Sequence, residues 1–275
     1  MFIDTHCHFD FPPFRDDEQQ SLQRAAQVGV DRIIVPAISS ANLQQVSELA
    51  RSYPAIYAAL GLHPLYIDQH QEAHLADLEQ FLKQKHEKWV AVGEIGLDLY
   101  MTEPQFEKQK AFLGAQLRLA KQYELPVILH SRKSHDQLAA ILRRINLPRT
   151  GVVHGFAGSL SQAEAFIGLG YYIGVGGTIT YERAQKTRRV MAELPLTSLV
   201  LETDAPDMPL FGFQGEPNRP EKIAGVFASL CELRREAPDE IARQLYHNSI
   251  ELFGLVIPYG FQDASRRQGS ESPGA

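Results

Sequence analysis

The chain has 275 residues, 44% of them hydrophobic, enough for one large core or two small domains. A formal net charge of −6 excludes a generic positive coat for nucleic acid, while leaving room for local recognition through a few arginines and metal ions. Two cysteines give no disulfide framework, and no apolar run approaches the ~20 residues of a membrane span. With no basic region leading an apolar stretch at the N-terminus, a soluble cytoplasmic protein with no membrane partner is the expectation.

Short apolar stretches alternate with amphipathic ones in chain order. FIDTHCHFD predicts a strand over 2–8, in which Asp4, His6 and His8 share one face and Ile3, Thr5 and Cys7 the other. Two imidazoles side by side at a strand end suit a metal ion; alone they equally fit a fraying end, and other ligands have to come from elsewhere. DEQQSLQRAAQVG has helical spacing, RIIVPA predicts a strand over 32–37, and ANLQQVSELARSY a helix behind the capping candidates Ser39 and Ser40. The strand at 56–62 ends in GLHP. AHLADLEQFLKQK precedes a strand at 90–97, and PQFEKQKAFLGAQLRLAKQY follows it, with Pro104 near its first turn. Strands at 127–131, 151–156, 171–176 and 198–203 are separated by SHDQLAAILRRI, SLSQAEAFIGLG and YERAQKTRRVMAEL. RPEKIAGVFASLCELRR and a shorter helical run over 239–253 close the pattern.

VAVGEIGL, PVILHS and SLVLET are continuous apolar runs, as in strands covered on both faces in a parallel sheet. Eight such strands, each followed by a helix over about 250 residues, fit a (β/α)8 TIM barrel. The same alternation also supports an open doubly wound sheet, but no Gly-x-Gly-x-x-Gly turn or Walker loop is present. Residues 1–254 read as one barrel domain. Residues 255–275, whose closing DASRRQGSESPGA is polar and aperiodic, read as a disordered tail or a non-native remnant.

Barrel enzymes place their sites at the carboxyl ends of the strands. Those ends carry His6 and His8, His63, Glu94, His130, His154 and Asp204 in turn. Each histidine alone reads as a capping group; together with two carboxylates they form a nitrogen–oxygen donor set for divalent metals. His70, His74, His86, His135 and His247 fall in helical or loop patterns and read as surface or packing residues. Lys186, Arg188 and Arg189 form a basic cluster on a helix, ordinarily a solvated face, otherwise a contact for a nucleic-acid backbone.

FIDTHCHFD, ALGLHP, VGEIGLD, VILHSR, VVHGF-x-GS and LETDAP, in this order, resemble the TatD family of metal-dependent deoxyribonucleases, within the amidohydrolase-like hydrolases. The resemblance covers roughly residues 2 to 253. It implies a TIM barrel, a two-metal site and hydrolysis of phosphodiesters, with DNA or a small phosphodiester as partner. His6, His8 and Asp204 would hold the first metal, His130 and His154 the second, and Glu94 would bridge them. Three segments depart from the family's usual pattern: His154-Gly155-Phe156-Ala157-Gly158, the run AlaProAspMetPro after Asp204, and FGFQGEPNRPE. They lie in loops expected to line the cleft, and the chain resembles a less characterised branch of the family.

On this reading a water activated by two metals attacks phosphorus, with Asp204 as base and Glu94 as the other catalytic carboxylate. Arg132 and His63 are candidate substrate contacts; an ion pair at the rim and a structural hydrogen bond explain them equally well. Asp4 and Glu202 are expected to orient the ligand imidazoles. With no thiolate in the set, Zn, Mn, Mg or Co fit, the imidazoles leaning towards Zn or Mn. The competing readings are a metal-dependent amidohydrolase, esterase or lactonase for a small molecule, and a non-catalytic binding barrel. Oligomeric state is left open, a monomer included.

Overall fold

The computed structural model describes residues 1–258 and 260. The strands are β1 (Phe2–Asp4), β2 (Val30–Pro36), β3 (Ile56–Leu60), β4 (Trp89–Asp98), β5 (Val127–Arg132), β6 (Gly151–Val153), β7 (Tyr172–Val175) and β8 (Leu199–Leu201). Each pairs in parallel with the next. β8 returns to β1: Thr5 N–H donates to Leu201 O at 3.1 Å, Asp204 N–H to His6 O at 2.8 Å, and His8 N–H to Ala205 O at 2.8 Å. That closure makes the sheet a barrel and rules out the open doubly wound alternative. All eight expected strands are present, several shortened by two or more residues where the chain turns into a loop at the carboxyl end.

The helices are α1 (Glu18–Gln27), α2 (Leu43–Ser52), α3 (Glu72–Lys83), α4 (Phe106–Gln122), α5 (His135–Arg144), α6 (Leu160–Gly168), α7 (Gln185–Glu193), α8 (Ile223–Leu233) and α9 (Pro238–Phe253). α6 begins where the periodicity of SLSQAEAFIGLG places it. The Ser159 hydroxyl accepts from Gln162 N–H, and the Gln162 side chain accepts from Ser159 N–H, so two otherwise orphaned donors are satisfied.

Two apolar layers arise from strand alternation. Ile33, Val35, Leu60, Leu129, Val153 and Ile173 face outward against helix residues such as Leu117, Leu138 and Phe166. Ile3, Ile34, Ala59, Ala91, Ile128, Val152 and Val200 fill the interior, with Tyr246, Ile250 and Phe253 of α9 packed onto them. Except for Ile34, each of these inner residues lies two to four positions before a polar residue of the site, so the inner layer is a dry floor beneath it. Burial on this scale is worth about 1.5–3 kcal/mol per large side chain. Leu255 packs onto the inner cluster, and Val256 O accepts from the Arg32 guanidinium. The remainder of the expected tail, 259 and 261–275, lies outside the described residues.

Candidate metal centre

The six side chains singled out as ligands converge on one mouth. Glu94 is at the centre, and its two oxygens face different partners. Oε1 lies 3.0 Å from His6 Nε2 and 3.5 Å from His8 Nε2. Oε2 lies 3.2 Å from His130 Nδ1 and 2.9 Å from His154 Nε2. Asp204 Oδ1 completes the first group, 3.5 Å from His6 Nε2 and 3.3 Å from His8 Nε2.

Strict alternation would not deliver Glu94 to this place. Val92 packs outward, so a regular strand would turn Glu94 outward as well. Instead the register with β5 slips between Val92 and Ile95, inserting one extra residue, and Glu94 N–H leaves the ladder to bond Ala37 O. This β-bulge re-aims the carboxylate into the barrel. The flanking glycines permit it: a Cβ on Gly93 would lie 2.7 Å from Ile128 Cβ, and one on Gly96 would lie 1.9 Å from His130 O. β1 breaks its alternation too. Ile3 belongs to the inner layer and Cys7 to the outer, so the two do not share a face as an unbroken strand requires. Regular strand ends at Asp4, and His6 and His8 sit on the irregular stretch beyond it.

Carboxylates behind two of the rings indicate which nitrogen each presents. Asp98 Oδ2 lies 2.7 Å from His130 Nε2, leaving the Nδ1 lone pair towards the centre. Glu202 Oε1 stands 3.4 Å from His154 Nδ1, so Nε2 is the inward atom. Carboxylates behind imidazoles in this way set tautomer and raise ligand basicity. His63 is different. Its Nδ1 accepts from Leu65 N–H at 3.0 Å, so its Nε2, 2.9 Å from Glu94 Oε2, carries the proton and has no lone pair for a cation. His63, Glu94 and His130 do bring three donor atoms within 4.8 Å. The tautomer nevertheless makes His63 a hydrogen-bond donor at the mouth.

The electrostatics match the geometry. Burial alone would raise the Glu94 pKa; the imidazoles of His63, His154 and His6 hold it well below the usual carboxylate range. Burial works to lower His8, and the Asp204 and Glu94 carboxylates overcome it, lifting His8 to about 9. Burial takes His63 down to about 4, in keeping with a neutral ring. Several buried polar atoms have no hydrogen-bond partner, among them His6 Nε2, Glu94 Oε1 and Glu202 Oε2. Orphaned buried donors and acceptors are costly, and a cluster of them on nitrogen and carboxylate oxygen is the donor set a divalent cation satisfies. The residues fit such a metal. The mouth opens into a cavity of about 470 Å³ whose walls include His8, His63, Arg132, Phe156, Ile179 and Met208.

The model of the family described as TatD related DNase matches residues 3–254. The chain belongs to the TatD family. It is 64% identical over 254 residues to the uncharacterized metal-dependent hydrolase YjjV of Escherichia coli K12, covering 92% of this chain and 98% of that one. The crystal structure of that TatD homologue superimposes with a TM-score of 0.91, over 93% of this chain and 98% of the other. The 3'-5' ssDNA/RNA exonuclease TatD of Pantoea sp. is 32% identical over 88% of this chain and 95% of its own. A TatD family hydrolase from Entamoeba histolytica, 23% identical with a TM-score of 0.79, shares the fold. The chain is accordingly a metal-dependent hydrolase of the TatD family. No helix among the described residues is long and apolar enough to cross a membrane.

Sequence reasoning missed Asp98. It stands four residues after Glu94 on the same strand, at a carboxyl end where barrel sites are built, and that position was the available signal. Asp4 departs from expectation: its carboxylate accepts from Thr203 N–H, the Thr203 hydroxyl and His6 N–H, so it ties backbone at the β1–β8 seam and does not orient an imidazole. Arg132 Nε donates to Asp98 Oδ2 at 2.9 Å, the rim ion pair, and its guanidinium lies 4.7 Å from the Tyr100 ring centre. Arg188 of the basic cluster donates to Ile179 O, so that part of the cluster is structural.

Proposed function

We propose that the chain hydrolyses phosphodiester bonds of single-stranded nucleic acid, most directly DNA, in a reducing, cytoplasmic setting. His6, His8 and Asp204 would hold one divalent cation, His130 and His154 a second, and Glu94 would span both. The observation that carries this reading is the pair of Glu94 oxygens, Oε1 turned to His6 and His8 and Oε2 to His130 and His154 with His63 beside them. Divalent cations there, Zn or Mn suiting the imidazoles and Mg also admitted, supply Lewis acidity and acidify water.

The chain's own groups do the rest. The Asp204 side chain is 23% exposed against 2% for Glu94, so of these two carboxylates Asp204 is the more open to the cavity and takes the proton of the attacking water. His63 donates its Nε2 proton to Glu94 Oε2, 2.9 Å away, and borders the cavity where a substrate phosphoryl group would sit. Asp98 and Glu202 keep His130 and His154 from turning. Phe156, Ile179 and Met191 give the cavity an apolar wall for a base or sugar face. That wall also suits the acyl part of a small ester, amide or lactone, which is the competing substrate class.

The test is turnover of labelled single-stranded DNA beside an amide and lactone panel, with metal analysis of the same protein. Cleavage of DNA that is abolished by chelator and restored by Mn is expected. Turnover confined to the amide or lactone panel overturns the phosphodiesterase reading.

A further inference from the structure

A second cavity, of about 480 Å³, adjoins the metal mouth and shares Ser131, Arg132 and Ala157 with it. Lys133 and Lys186 line it, brought together from the β5–α5 turn and from α7. Lys186 belongs to the basic cluster on α7, and unlike Arg188 it is not tied to the backbone of any described residue. Among the described residues neither lysine meets a carboxylate within ion-pair distance. The one acidic side chain in the lining, Asp136, accepts from Gln162 Nε2. Asp98 uses only the Nε–H of Arg132, leaving its other guanidinium N–H groups available. In a chain of net charge −6, three cations around one polar cavity run against the average. The cavity also lies one step from the chemistry: Arg132 follows the ligand His130 by two residues of strand, about 6.6 Å along β5.

We propose that this cavity binds a second phosphate of the substrate chain, adjacent to the phosphodiester being cut, through Lys133, Lys186 and the unused N–H groups of Arg132. The inference rests on the phosphodiesterase reading for its substrate, and it makes a chain with at least two phosphates the preferred one. Single phosphodiesters then fill the metal mouth alone and gain nothing from the lysines.

The experiment compares wild type with the double variant Lys133→Gln/Lys186→Gln on two substrates. Bis(p-nitrophenyl) phosphate carries one phosphodiester; 5′-phosphorylated hexathymidylate carries neighbouring phosphates. The double variant should lose about 10-fold more kcat/KM on the oligonucleotide than on the small diester, through KM. Between about 50 and 200 mM salt, its binding should show a slope shallower by about 0.7 for each phosphate that the lysines no longer neutralise. Equal losses on the two substrates overturn the subsite and leave the phosphodiesterase reading standing. A parallel arm measures fluorescence anisotropy of labelled hexathymidylate with chelator-treated protein. If wild type cleaves neither substrate, the phosphodiesterase reading falls, and this arm alone decides the subsite. A dissociation constant at least about 10-fold weaker in the variant supports it, and an unchanged constant or no binding by wild type overturns it.

Discussion

Replacing Asp98 by alanine separates metal affinity from folding. Asp98 Oδ2 sits 2.7 Å from His130 Nε2 and is fully buried, while the inward atom of that imidazole is Nδ1. Without the carboxylate the ring loses both its tautomer and its orientation. Removal of such a supporting carboxylate costs about 10–100-fold in cation affinity, or about 1.4–2.7 kcal/mol. The structural cost is smaller. Arg132 Nε and Tyr100 N–H lose an acceptor, but the Arg132 side chain is 48% exposed and water replaces the bond. The stability loss should be about 1–2 kcal/mol, lowering Tm by about 2–8 °C in a chain this size. Competition between cation-stripped protein and a fluorescent zinc chelator measures the affinity, and a melt in chelator measures the fold. The loss should fall on the cation held by His130, with Asp98→Asn intermediate because a neutral acceptor remains. An Asp98→Ala protein whose affinities all stay within about twofold of wild type refutes this role for the carboxylate.

Glu94→Ala and Asp204→Ala should each drop turnover to the level of chelator-treated wild type while far-UV circular dichroism stays native; undiminished turnover in either counts against the mechanism. Gly96→Ala should be a folding lesion. Its Cβ would lie 1.9 Å from His130 O at a backbone φ of +145°, a conformation L side chains rarely adopt. Overpacking and strain together come to about 2–6 kcal/mol, read as a reduced denaturation midpoint or lost soluble yield. A midpoint equal to wild type would mean that β4 and β5 are less closely apposed than the register indicates.

The barrel was readable because periodicity reports burial, and parallel strands covered on both faces leave long apolar runs such as PVILHS and SLVLET. Five of the six candidate ligands were readable because each closes a strand-like segment, and Glu94 because it is a lone carboxylate inside the apolar run VAVGEIGL. The hidden features depend on register. Asp98 matters through β4–β5 pairing, which sets Gly96 opposite His130 and Asp98 opposite Arg132, and no local pattern encodes that pairing. The bulge at Glu94 defeats face-counting for a related reason: one inserted residue reverses the parity of every later position on the strand. The role of His63 turns on a backbone N–H two residues away, which fixes a proton that composition cannot reveal. Asp4 was misjudged because alternation was carried past the point where regular strand stops.

The first and last strands meet at the reactive end, with Thr5 and Leu201 bonded across 196 residues of chain. The two histidines that follow the first strand therefore meet an aspartate that follows the eighth. A truncated or still-emerging polypeptide has its cation-binding groups divided between separate pieces. Hydrolytic power then requires that the first and eighth strands close on one another.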